Sequence, residues 1–104
     1  MKLLFVTCLE ELKSDVMKLF NQAGVTVFSI SETMGVRDDR PANLLDDWFG
    51  NKEGEFRSLF LFSFTNESTA ALALDGIRRY NESAKTQFPV RAFVLPVEAA
   101  SHTE

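Results

Sequence analysis

The chain is expected to fold as an α+β sandwich in the order βαββαβ, with a four-stranded antiparallel sheet and both helices on one face. Three observations lead there. Four short runs are rich in β-formers, two longer stretches with helical spacing lie after the first and third of them, and 104 residues suit one domain. With 45% hydrophobic and 25% charged residues, the composition disfavours a disordered chain, a collagen or a multidomain enzyme. A domain of this size buries roughly two thirds of the surface its unfolded form exposes. Binding sites are therefore expected at edges or between subunits.

The first strand is read from residues 3–8, a short apolar run ended by charge. From Leu9 the period changes, and Leu9, Leu12, Val16, Leu19, Phe20 and Ala23 recur at helical spacing opposite Glu10, Glu11, Lys13, Asp15 and Lys18. Gly24 supplies the helix stop. Residues 25–31, extended to Thr33, read as the second strand. Residues 35–55 hold Gly35, Pro41, Gly50, Gly54 and nine charged side chains, which marks a long connection with at most one helical turn near residues 42–49. Residues 56–65 form the strongest strand of the chain, and Asn66 or Ser68 caps a helix reaching Ala84. The buried stripe of that helix is expected to be Ala70, Ala73, Leu74, Ile77, Tyr80 or Asn81, and Ala84. Pro89 then opens the last strand, residues 90–97. This order has one preferred solution, two interleaved βαβ units forming a ferredoxin-like sandwich.

The strands carry a further signal. A lone sandwich leaves one sheet face wet, so its strands alternate apolar with polar. Here Phe60, Phe62 and Phe64 oppose Leu59 and Leu61, Leu4 and Val6 oppose Leu3 and Phe5, and Val90, Ala92 and Val94 oppose Phe93, Leu95 and Val97. The helices cover one face only. The other is expected to be covered by further copies of the chain in an obligate oligomer, the alternative being that the long connection folds back across its own sheet.

A formal charge of -4, with Arg78-Arg79 the only adjacent basic pair, disfavours a nucleic-acid partner. No apolar run reaches the roughly 18 to 20 residues of a membrane span, and the N-terminal stretch lacks the pattern of a leader, so a soluble, cytoplasmic protein without direct membrane insertion is expected. A single cysteine, Cys8, makes neither an internal disulfide nor a paired metal site. Catalysis is disfavoured, because a Cys nucleophile needs a neighbouring base and the one histidine, His102, sits in the polar tail.

Three segments resemble the PII signalling family and its PII-like relatives. The opening Met1-Lys2-Leu3-Leu4 and its following helix match the start of that fold. Val25-Thr26-Val27-Phe28-Ser29-Ile30-Ser31-Glu32-Thr33-Met34-Gly35 is similar to the family's second strand and the glycine that begins its long T-loop. Ala92-Phe93-Val94-Leu95-Pro96-Val97-Glu98 is similar to its last core strand. The resemblance implies a ferredoxin-like trimer with sheets facing inward and nucleotides held in clefts between subunits. The sequence departs from the family where a glycine-rich B-loop contacts phosphates, since residues 84–91 hold no glycine, and Arg91 falls where the B-loop lysine lies. Arg37 replaces the second glycine of the T-loop, and Asp38-Asp39 would repel a triphosphate. The resemblance therefore implies a divergent PII-like sensor with a changed ligand, an adenine nucleotide or a divalent metal being the candidates. The Trp48-Phe49-Gly50 of the loop is similar to small PII-like proteins associated with cation or heavy-metal efflux transporters, which implies a membrane transporter or another regulator as partner. The CutA family of divalent-cation tolerance proteins, also trimeric and ferredoxin-like, is the second resemblance, with a looser match to the same aromatic segment.

The candidate site residues follow from these readings. Gly35 either turns the chain out of the second strand or lets a ligand approach the backbone. Arg37 and Arg91 meet anionic ligand groups at a subunit boundary through a planar fork, or pair with acids such as Asp38 and Glu98. Trp48 and Phe49, flanked by Asp46 and Asp47, either clamp onto their own domain or anchor a partner. The carboxylates of Asp38, Asp39, Asp46, Asp47, Glu53 and Glu55 are hard oxygen ligands without the spacing of a cation cage. Copies of Cys8 or His102 gathered at a trimer axis are a softer metal option.

Overall fold

The computed structural model describes residues 1–37, 54–84 and 88–102. Along the chain run β1 (Lys2–Leu9), a 3-10 turn (Glu10–Leu12), α1 (Lys13–Ala23), β2 (Ser29–Arg37), β3 (Gly54–Thr65), α2 (Glu67–Ala84) and β4 (Arg91–Pro96). The strands form one antiparallel sheet in the order β2-β3-β1-β4. This is the expected α+β, ferredoxin-like arrangement.

Strand periodicity of two decides which residues meet the helices. Leu4, Val6 and Cys8 of β1 and Leu59 and Leu61 of β3 are buried on the helix side, where Val16 and Phe20 of α1 and Ala73 and Ile77 of α2 close over them. α1 ends as its sequence dictates. Gly24 takes a φ of 91°, its N–H donates to Asn21 O at 3.1 Å, and Val25 N–H donates to Phe20 O at 2.9 Å. α2 begins on Asn66, whose Oδ1 accepts the Thr69 N–H at 2.8 Å and the Ser68 hydroxyl at 2.9 Å. Tyr80 joins the two helices by donating its hydroxyl to Asp15 Oδ2 at 2.7 Å.

Several boundaries differ from those expected, each for a local reason. Residues 25–28 are β-rich yet unpaired in the ladder. Val25 is buried in the core with its N–H on the helix end, Phe28 meets Phe20 edge-on at 5.0 Å, and Val27 O accepts the Ser63 hydroxyl at 2.7 Å. Tertiary contacts have overridden strand propensity. At its other end β2 continues to Arg37 opposite Gly54, so the ends of the expected 35–55 connection are strand. Leu9 belongs to β1, paired with Ser58, not to the first helix. Ala84, expected on the buried stripe, is exposed at the last residue of α2.

Candidate functional site

The sheet face turned away from the helices is the most distinctive surface among the described residues. The ladders set its rows: Phe64, Leu3 and Leu95 in one, Phe62, Phe5 and Phe93 in the next, and Phe60, Thr7 and Arg91 in a third. Phe5 stacks on Phe60 with centroids 5.2 Å apart, Phe60 on Phe62 at 5.8 Å, and Phe62 meets Phe64 edge-on at 6.3 Å. Stacking leaves Phe5, Phe60 and Phe62 half-buried, while Phe64, Phe93 and Leu95 stay exposed at 58%, 39% and 45%. An apolar depression lined by Leu3, Phe5, Phe93 and Leu95 follows the β4 edge. β2 completes the face with hydroxyls instead of rings: Ser29, Ser31 and Thr33 oppose Phe62, Phe60 and Ser58. Thr33 Oγ1 lies 3.2 Å from Ser58 Oγ. The face thus has an apolar centre and a polar margin, the anatomy of a protein interface.

Gly35 and Arg91 both stand on this face, at opposite ends of the sheet order. Gly35 is buried inside β2, paired with Phe56. Of its two alternatives, the turn out of the strand does not hold, since β2 runs on past Gly35 to Arg37. Arg91 opens β4 opposite Thr7 and is half-buried. Three inter-strand steps and four residues of strand separate the two positions, roughly 20 Å by standard sheet spacings. One copy of the chain does not bring them onto one small ligand. The backbone of Arg37 closes β2 opposite Gly54, and its side chain lies outside the described residues. Asp38, Asp39, Asp46, Asp47, Trp48, Phe49 and Glu53 lie outside them as well, and Glu55 is placed only by its backbone pairing with Val36.

The stretch before β4 shows a feature the sequence did not announce. Asn81 Oδ1 accepts the Val90 N–H at 2.9 Å, and Asn81 Nδ2 donates to Val90 O at 2.8 Å. The sequence left Asn81 and Tyr80 as alternatives for one buried position. Both are half-buried and each has its own polar partner. An Asn at the apolar stripe of a helix, about one turn before its end, is the signal that points to such a clamp.

Two groups, Cys8 and Tyr80, hold their protons more tightly than usual. Burial pushes the Cys8 thiol up to about 11, and its position on the helix side of β1 puts it in the core, away from the open face. The hydrogen bond to Asp15, helped by burial and by the neighbouring negative charge, pushes Tyr80 up to about 12. His102 is exposed near the end of the chain. Among the described residues no three His, Cys, Asp or Glu side chains gather as a metal set, and no helix is long and apolar enough to cross a membrane.

Sheet order, helices on one side and a long β2–β3 ribbon define a ferredoxin-like sandwich of the kind found in PII-like signalling proteins. The chain superposes on CPII, a nitrogen regulatory PII-like protein from Thiomonas intermedia K12 solved with ADP, AMP and bicarbonate, with a TM-score of 0.60 at 16% identity, covering 95% of this chain and 93% of that one. It superposes on a protein of Thermus thermophilus described as a PII-like signalling protein with a TM-score of 0.55 at 18% identity, covering 89% and 82% of the two chains. At these identities the likeness is one of fold. No family model and no curated protein matches the sequence.

Proposed function

We propose that this chain is a PII-like regulatory sensor that works by binding and not by catalysis. Three copies close their apolar sheet faces on one another. A small anionic ligand, an adenine nucleotide in the first instance, occupies a cleft between two copies against Gly35, Arg37 and Arg91. Its binding is coupled to the segment 35–55, where Trp48 and Phe49, with Asp46 and Asp47, take hold of a partner such as a membrane transporter for cations or heavy metals. The protein acts in the cytoplasm.

The apolar face beyond the helices carries this reading. Two ladder rows of Phe and Leu, with three members well exposed, cost a monomer free energy in water and repay it when copies meet. The separation of Gly35 from Arg91 within one copy supports a ligand site shared between copies. The ligand class is supported by the nucleotides bound to CPII, a protein of the same fold.

Native mass spectrometry of the protein, alone and with ADP, AMP, bicarbonate or divalent metals, tests assembly and ligand together. The expected result is a trimer that takes up one nucleotide per subunit. A bare monomer contradicts the packing argument, and a trimer that takes up only metal points instead to a tolerance protein of CutA type. Trp48→Ala combined with Phe49→Ala is expected to abolish partner capture while the trimer persists.

A further inference from the structure

The Asn81 carboxamide spends both of its hydrogen-bonding ends on one residue, and that residue stands immediately before Arg91. It accepts the Val90 N–H at 2.9 Å and donates to Val90 O at 2.8 Å, the pairing a neighbouring strand would offer. β4 has a physical need for it. Among the described residues this six-residue strand lies at the sheet edge with β1 as its one neighbour, and its ladder starts at Arg91 opposite Thr7. The preceding Pro89 has no N–H to donate, so Val90 is where the chain can next be pinned. At the far end of β4 the Val97 N–H reaches Met1 O at 3.3 Å, so both ends of the strand are tied down. Val90 is 2% exposed, its side chain in the core and its backbone on Asn81. The point from which the Arg91 side chain leaves the sheet is thereby fixed.

A guanidinium recognises an anion through a planar fork whose two N–H groups must be aimed together. A frayed strand end would leave that aim to chance, and poorly held binding groups cost affinity. We propose that Asn81 is a positioning residue, which holds Val90 so that Arg91 is presented to an anionic ligand in the cleft between copies, at the margin of this sheet face. The same clamp occupies the Val90 N–H, so the charge that meets the anion comes from the arginine side chain and not from the backbone of residues 89 and 90. This inference rests on the reading of Arg91 given above.

Wild type, Asn81→Ala, Arg91→Ala and the double variant are titrated with ADP by calorimetry, and backbone amide exchange at Val90 is followed by NMR. Loss of the clamp is expected to speed Val90 exchange by about tenfold or more relative to the core amides of Leu4 and Leu61. Asn81→Ala is expected to weaken ADP by about tenfold, and the double variant to bind no more weakly than Arg91→Ala alone, because the two residues act as one unit. Asn81→Gln, which keeps both ends of the carboxamide on a longer arm, is expected to fall between Asn81→Ala and wild type, and it carries the test if the alanine variant does not fold. Losses that add in the double variant, or an Asn81→Ala protein that binds ADP as wild type does, overturn the positioning role. A wild type that takes up no ADP overturns the ligand-site reading and this inference with it. That failure is told apart from the first by the titration of wild type alone.

Discussion

Replacing Phe64 by glutamate places a carboxylate on the row Phe64, Leu3 and Leu95 of the open sheet face. Phe64 is 58% exposed in the single copy and touches Phe62 edge-on, so the change takes little from the copy's own core. The exposed part of the residue is on the order of 120 Å², and its burial at about 25 cal/mol per Å² is worth about 3 kcal/mol per copy. A trimer that buries three such rings loses about 9 kcal/mol, which is about six orders of magnitude in the association constant. Removing three carboxylates from water adds to that loss. Sedimentation velocity at micromolar protein reads the outcome, with circular dichroism as the check on folding. Wild type is expected to sediment as a trimer and Phe64→Glu as a folded monomer. A variant that keeps the wild-type mass, or a wild type that is monomeric at every concentration, would refute the reasoning.

The other predictions concern the protomer. Cys8 and Tyr80 are both raised, from 9.0 to about 11 and from 10.0 to about 12, so the folded state holds both protons more tightly than the unfolded chain does. Their stabilisation is complete below pH 9 and is lost as pH rises through 9 to 12, which urea midpoints measured across that range will show as a fall. Tyr80→Phe, lacking the hydroxyl on Asp15, is expected to lose about 1 kcal/mol near neutral pH and to lack the tyrosine part of the alkaline fall. Iodoacetamide is expected to label native Cys8 at least about a hundredfold more slowly than the urea-unfolded thiol at mildly alkaline pH, because thiolate is scarcer and the sulfur is buried. Equal rates would contradict its place in the core. Gly24→Ala is expected to lower stability by about 1 kcal/mol through backbone strain alone, since φ is 91° and an added Cβ meets nothing within 4 Å. A thermal melt checks it, and an unchanged midpoint would show that the left-handed cap is not required.

The element order and the two-faced strands were legible because both are periodic signals: Leu4, Val6, Leu59 and Leu61 face the helices, and the rings of β3 face away. Gly24 was legible because a left-handed cap has a strong residue preference. The start of β2 was not. Val25 and Phe28 look like strand residues, but their burial is against α1, and only the packed chain decides that. Its end beyond Thr33 was missed because Gly35 reads as a turn residue, while the backbone ladder with β3 continues through it to Arg37. At the candidate site the sequence put Arg91 near the start of the last strand, read as residues 90–97, but gave no sign of which atoms hold it there. The Asn81 clamp joins residues nine positions apart through a side chain, and while an Asn on the apolar stripe of α2 signals a buried polar partner, only the packed chain decides that the partner is Val90.

The claim that a ligand sits between copies is tested most directly by titrating ADP into wild type and into monomeric Phe64→Glu, side by side in one calorimeter. Residue 64 stands on the open face with no place in the ligand contacts proposed, so the variant changes assembly and leaves Arg91 and Asn81 in their positions within the copy. Saturable binding to wild type with none to the monomer is the predicted result. A folded monomer that binds ADP as tightly as wild type would contradict the account, because the site would then be complete within a single chain.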